Sequence, residues 1–212
     1  CKKLLVCKYT QKIKDFDLEF PFGEKVQFTK TYAFDAEDIR GLELEIPNGK
    51  VEVAKAEDNQ FLVEAKIKAP LNDHDEEKTK AQFEEEFLQL QDGKLTIAVP
   101  SKMSQVSVQF TVPEKQYDVF ILRLLNGGIT IQELNTKLLK AKTYNGAVKL
   151  DQSSFQNANI ETGNGAIEVR NVHGEDLEAE TVNGRIYIDG HIEEVEAESV
   201  NGAVVVTTHA QN

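Results

Sequence analysis

Cysteine is almost missing from these 212 residues: Cys1 and Cys7 stand close together and no other follows. A disulfide framework spreads its cysteines over the whole fold, so disulfides do not hold this chain together. Tryptophan is absent, and no stretch approaches the roughly 18 unbroken apolar residues of a membrane-spanning helix. Positive charge is also short. With 24 Lys and Arg against 36 Asp and Glu, the formal charge is −12. Duplex binding depends on cations displacing counterions, so a nucleic-acid partner is not expected. Histidine occurs only four times, with no nucleophile-elbow pattern to complete a triad. Most acids sit at alternating, outward positions and do not gather in a groove. The chain is therefore expected to be non-enzymatic and to need no cofactor.

What remains is ample for a folded protein: 40% of the residues are hydrophobic and 28% charged, and the length suffices to bury a core. A start at Cys1 instead of Met fits either a lipidated cysteine or an upstream trim. The opening CKKLLVCKY reads as a strand, not as a polar tether, which favours the trim.

The strongest signal is repetition. Asn-Gly pairs occur at 126/127, 145/146, 164/165, 183/184 and 201/202, at intervals of 19, 19, 19 and 18. A period near 20 is the mark of a solenoid, whose coils cannot bury their apolar faces alone. After each Asn, aliphatic residues alternate: Val148 and Leu150, Ile167 and Val169, Ile186 and Ile188. Before each Asn a second strand of period two ends on a small hydroxyl residue: Thr143, Thr162, Thr181 and Ser199. Asn-Gly is also the strongest short hairpin signal, so an antiparallel meander competes. A hairpin would set Glu161 opposite Glu168 and Lys142 opposite Lys149, and like charges across a ladder destabilise. A parallel solenoid avoids this. Asn is then expected at the corner for its tolerance of positive φ and for amide stacking between coils.

Upstream the pattern is weaker. Asn48-Gly49 sits between alternating strands, and Asp92-Gly93 reads as the same device. Between them one helix is expected over about residues 74–90, capped by Asp73 or Asp75, with Glu76 facing Lys80. Phe83, Phe87 and Leu90 would form its packing stripe. The chain thus divides into a lead-in (1–27), degenerate coils with the helix (28–115) and regular coils (116–212).

The order FTKTYAF, IPNGKVEV, acidic helix, DGKLTIAVP, VPEKQYDVFILRLLNGGITI and a train of Asn-Gly coils resembles the bacterial adhesin-like family of β-strand repeats, whose function is unassigned. It is most similar to the LiaX-like envelope-stress proteins of Gram-positive bacteria. The resemblance implies an all-β fold, a right-handed single-stranded parallel β-helix. It also implies a part in sensing or answering antimicrobial attack on the cell envelope, at the cell surface or, alternatively, within the cytoplasm. LiaX-like members carry a further N-terminal region, absent here apart from residues 1–27 at most. The family supplies no catalytic residues.

The candidate surface is acidic. Glu161, Glu180 and Glu198 stand three positions before successive Asn residues, and Glu178 and Glu196 five before. Residues 161–198 hold nine Glu and two Asp against two Arg, a net of −9. Lys140 and Lys142 occupy the same two positions one coil earlier, so the face changes sign along the axis. A field of one sign steers opposite charge, which points to a cationic antimicrobial peptide or a basic protein surface as partner. His173, His191 and His209 recur at intervals of 18 and would approach one another in stacked coils, within reach of a shared divalent metal. Exposed loop histidines are the simpler reading, and no metal is assigned. Tyr144 and Tyr187 are the only aromatics offered for carbohydrate. The repeat runs to TTHAQN without a polar cap, so self-association by end-to-end stacking is the alternative, as a structural adhesin or scaffold.

Overall fold

The computed structural model describes residues 25–209; the strand expected in CKKLLVCKY lies outside them. Over these residues the fold is all-β with one α-helix, a parallel β-solenoid with coils about 19 residues apart.

Six strands and the helix build the first half. They are β1 (Lys25–Asp35), β2 (Gly41–Lys55), β3 (Gln60–Pro70), α1 (Glu76–Glu86), β4 (Leu88–Gln91), β5 (Lys94–Ala98) and β6 (Gln105–Val112). β2 bends at Asn48 and forms a whole coil. Residues 41–45 lie parallel to β5, and residues 48–55 lie parallel to β6. β3 then pairs antiparallel with β6, β1 with β3, and β4 with β5.

The second half repeats the β2 coil on its other side. Here β7 (Gln116–Asn126), β9 (Asn135–Asn145) and β11 (Ser154–Asn164) stack in one sheet. β8 (Ile129–Gln132) and β10 (Val148–Asp151) stack in the other. β12 (Ile167–Asn183) and β13 (Ile186–Asn201) run through both sheets, and β14 (Val204–Thr208) closes the series. All these pairings are parallel, which excludes the meander. Because the coils stack, Lys142 forms an ion pair with Glu161 of the next coil, and Lys149 reaches Glu168 at 3.9 Å. The like charges a hairpin would oppose are replaced by opposite ones.

The Ser/Thr-x-Asn-Gly signature has a physical explanation at every position. The asparagines form a ladder of amide hydrogen bonds: Asn126 donates to Asn48, Asn145 to Asn126, Asn164 to Asn145, Asn183 to Asn164 and Asn201 to Asn183, all at 2.8–2.9 Å. Each rung satisfies its neighbour, the device by which stacked amides stabilise cross-β assemblies. The hydroxyls do the same inside. Thr143 donates to the Gly127 carbonyl at 2.8 Å and Thr162 to that of Gly146 at 2.8 Å, so polar corners are buried without loss. The glycine is required by contact: a Cβ on Gly165 would lie 1.9 Å from the Gly146 carbonyl oxygen.

Three expectations are corrected. The corner asparagines do not take positive φ. The left-handed residues of the coils are Glu133 (53°), Gln152 (50°) and Asn171 (51°), at the start of the opposite loop. Asn171 has no partner in the following coil, where the register shifts between Arg170 and Val172, and this accounts for the interval of 18. Asp92-Gly93 is not a coil corner. With φ of 51° and 79° it forms a two-residue hairpin joining β4 and β5, the turn that suits a right-twisted antiparallel pair. The helix is shorter than expected, because residues 88–91 leave it to pair with β5.

Asp75 caps α1, accepting from the Lys78 N–H at 3.1 Å, and Glu76 pairs with Lys80. Phe83 and Phe87 are buried against Phe28 and Tyr32, with ring centroids 5.5 Å apart for Phe28–Phe83 and 6.4 Å for Tyr32–Phe87. This aromatic packing closes the first end of the solenoid core. The coil interior beyond it is narrow and holds Leu139, Ala141, Val148, Ile160, Ile167, Ala179 and Ile186 at 0–1% exposure.

Candidate functional site

Parallel stacking turns each repeat position into a column. In the sheet that carries β7, β9 and β11, alternate residues face outward while Ala158, Ile160 and Thr162, or Leu177, Ala179 and Thr181, face the core. Glu161, Glu180 and Glu198 therefore align in register, as do Asn159, Glu178 and Glu196. The structure brings together all five glutamates named from the sequence. Neighbouring rungs of a sheet stand about 4.8 Å apart, so the carboxylates act on one another. The effect is visible at Glu180, whose carboxyl is pushed above its ordinary value, first by partial burial and then by the charges of Glu178, Glu161, Glu198 and Glu196.

The block is not uniform. Glu161 is neutralised by Lys142, and Glu178 accepts a hydrogen bond from the Asn159 amide. Among the described residues no cation pairs with Glu180, Glu196 or Glu198, so the unneutralised charge lies on the last two rungs. Earlier rungs on the same face carry Arg123, Lys140 and Lys142, with Arg123 bound to Glu43 at 2.7 Å. The sign change expected from the sequence is thus a feature of one continuous surface.

A column beside the carboxylates escapes a reading fixed on charge. The residue before each corner Asn points outward, giving Leu125 (54% exposed), Tyr144 (60%), Gly163, Val182 (48%) and Val200 (66%). The Tyr144 ring lies over Gly163, where a Cβ would stand 3.3 Å from the ring and only 2.7 Å from the Tyr144 carbonyl oxygen. Tyr187 stands in the other sheet, under the Arg170 guanidinium at 4.6 Å, so the two tyrosines share no groove.

The histidines do stack. The rings of His173 and His191 have centroids 5.0 Å apart and are 16° from parallel, while His191 and His209 are 5.3 Å apart and 49° from parallel. His209 Nε2 lies 2.7 Å from Asp189 Oδ1, and His191 Nδ1 lies 3.2 Å from the His209 carbonyl oxygen. Among the described residues no group of three or more His, Cys, Asp or Glu side chains could hold a metal ion. No helix of the described residues is long and apolar enough to cross a membrane.

This chain is similar in sequence or in fold to several known proteins. The uncharacterized protein YvlB of Bacillus subtilis is 29% identical over 133 residues, 63% of this chain, and the match takes in only 36% of that protein's length. Among solved structures, a candidate cell adhesion protein of Clostridium sporogenes is 15% identical with a TM-score of 0.49, covering 87% of this chain and 100% of that one. A candidate adhesin of Bacteroides fragilis is 14% identical with a TM-score of 0.43, covering 86% of this chain and 97% of that one. The family described as Toastrack DUF4097 matches residues 42–211, from the first coil to beyond the last strand. By that match, which spans most of its length, this chain belongs to the Toastrack DUF4097 family.

Proposed function

We propose that this chain is a non-enzymatic binding module of the bacterial cell envelope, acting in the response to antimicrobial attack at or near the cell surface. Its acidic solenoid face engages a cationic peptide or a basic protein surface. The observation that carries the reading is the alignment of Glu161, Glu178, Glu180, Glu196 and Glu198 on adjacent rungs, with no cation paired to Glu180, Glu196 or Glu198 among the described residues. Repulsion within such a block is relieved when a cation docks, and a field of one sign steers it there. Exposed charges are screened beyond about 8–10 Å at physiological salt, so the interaction is salt-sensitive.

Decalysine, followed by calorimetry, tests this. Reversal of Glu178, Glu180, Glu196 and Glu198 to Lys should abolish binding, and added salt should weaken it in the unaltered protein. Unchanged affinity after reversal would dispose of the reading.

A second reading, a structural adhesin or scaffold segment that self-associates through its coils, rests on the in-register parallel stacking of those coils within the chain. Size-exclusion chromatography against concentration separates the two readings: stacking predicts an apparent mass that grows with concentration, and simple binding does not.

A further inference from the structure

The outward face of the regular coils carries opposite charge at equivalent positions on either side of β11. Counting back from the corner Asn, the outward residues are Tyr144, Lys142 and Lys140 on β9. On β11 they are Gly163, Glu161 and Asn159, and on β12 Val182, Glu180 and Glu178. Each of these three rungs has a described neighbour on both sides, so their arrangement depends on neither end of the stack. Lys142 pairs with Glu161. Among the described residues Lys140 has no carboxylate partner and Glu180 no cation. Tyr144 and Val182 are apolar side chains left exposed beside these charges.

A two-fold axis along β11 brings a second copy face to face, keeps the strand direction and reverses the order of the rungs. β9 of each copy then faces β12 of the other. Lys140 meets Glu178, Lys142 meets Glu180 and Tyr144 meets Val182, and every contact is made twice. On the axis β11 faces itself. The two Glu161 carboxylates that meet there are each neutralised by Lys142 of their own chain, and the two copies of Gly163 bring no side chain between the faces. An axis along the solenoid would instead set lysine rung against lysine rung and glutamate against glutamate, so charge selects the first arrangement.

We infer that this face is a self-recognition surface on which a second copy of the chain docks antiparallel through the rungs of β9, β11 and β12. This goes beyond the acidic-face reading, because Lys140 and Lys142 of one copy take the carboxylates that a cationic partner would use on the other. The dimer and the bound partner therefore exclude each other, and the partner binds by displacing the second copy. Three rungs, about 10 Å between the outer two, make a patch smaller than the roughly 800 Å² per partner of a standard interface. The dimer is accordingly weak, reversible and sensitive to salt.

Sedimentation equilibrium of the full chain at low salt tests this. The mass should rise with concentration from one copy to two and stop there, whereas end-to-end stacking continues to grow. The double variants Lys140→Glu with Lys142→Glu and Glu178→Lys with Glu180→Lys should each self-associate about tenfold or more weakly. Mixed in equal amounts, they should associate to within about fivefold of the unaltered chain, since each supplies the charge the other has lost. A folding defect in either variant cannot produce that recovery. Decalysine should dissociate the unaltered dimer. A single copy at every concentration up to about 1 mM, growth beyond two copies, no recovery on mixing, or a dimer that persists with decalysine bound overturns the proposal. Decalysine binding by the Lys140→Glu with Lys142→Glu variant, which keeps all five glutamates, is measured separately. The acidic-face reading therefore stands or falls independently of the dimer.

Discussion

The two halves of the molecule reach similar burial by different means. Residues 116–208 follow the axis in chain order, each coil laid on the one before, with identical side chains meeting at every corner. Residues 25–112 do not. The chain leaves β2 for β3 and α1, returns beneath β2 as β5 and β6, and only then crosses to β7 above it. The regular coils are narrow and filled by Ile, Val, Leu and Ala, tied by amide and hydroxyl ladders. The first half is filled by rings, Phe61 against Phe110 and Tyr117, Phe83 against Phe87. Repetition builds length and columns; irregular packing ends the stack. That division leaves the carboxylate block on the regular side.

Three changes sharpen the contrast. Phe87→Ala removes a fully buried ring from the closed end and should cost about 4 kcal/mol in urea denaturation. A loss confined to about 1 kcal/mol would mean that the aromatic cluster does not close the core. Gly165→Ala strikes the regular coils, forcing apart two backbones that leave no room for a Cβ, and should cost about 3 kcal/mol. A tolerated alanine would show that neighbouring corners are not in contact.

The smallest effect separates the halves by pH. Hydrogen bonds from Lys94 and then Arg123 hold the Glu43 carboxyl below its ordinary value. Its stabilisation is present above the unfolded-state value and is lost as pH falls through the lowered one. Glu180 is shifted the other way, so its stabilisation belongs to the protonated form and is lost as pH rises through the raised value. Between neutral pH and about 4.5, amide exchange corrected for intrinsic rate should slow in β12 and β13 relative to β2 and β5. Glu180→Gln should remove most of that difference, and a uniform response would contradict the clustering.

How much was legible in the sequence follows from the same contrast. The regular coils could be read because Thr162, Asn164, Gly165, Ile167 and their equivalents each do one job at one position, and the acidic columns followed from parity alone. Parity carried less in the first half, where strand order in space departs from chain order. Asp92-Gly93 has the chemistry of a corner and of a hairpin; only the antiparallel pairing of β4 with β5 decides. Leu90 matches a helical stripe after Phe83 and Phe87, but the strand partner β5 takes residues 88–91 first. The side-chain chemistry of Asn predicts positive φ at the corners, whereas here the Asn amides form the ladder. The column of Leu125, Tyr144, Val182 and Val200 was present in the repeat alignment and is recognised only once burial is known.

The account depends on carboxylates from successive coils lying side by side. With Cys1 and Cys7 replaced by Ser, paired cysteines at 161 and 180 test this directly, since parallel neighbours fall within the roughly 4.4–6.8 Å Cα range of a disulfide. Oxidation followed by peptide mapping should give the 161–180 link and leave a 161/168 pair unlinked. A 161–168 link in place of 161–180 would mean that the Asn-Gly turns are hairpins, and the carboxylate columns would not exist.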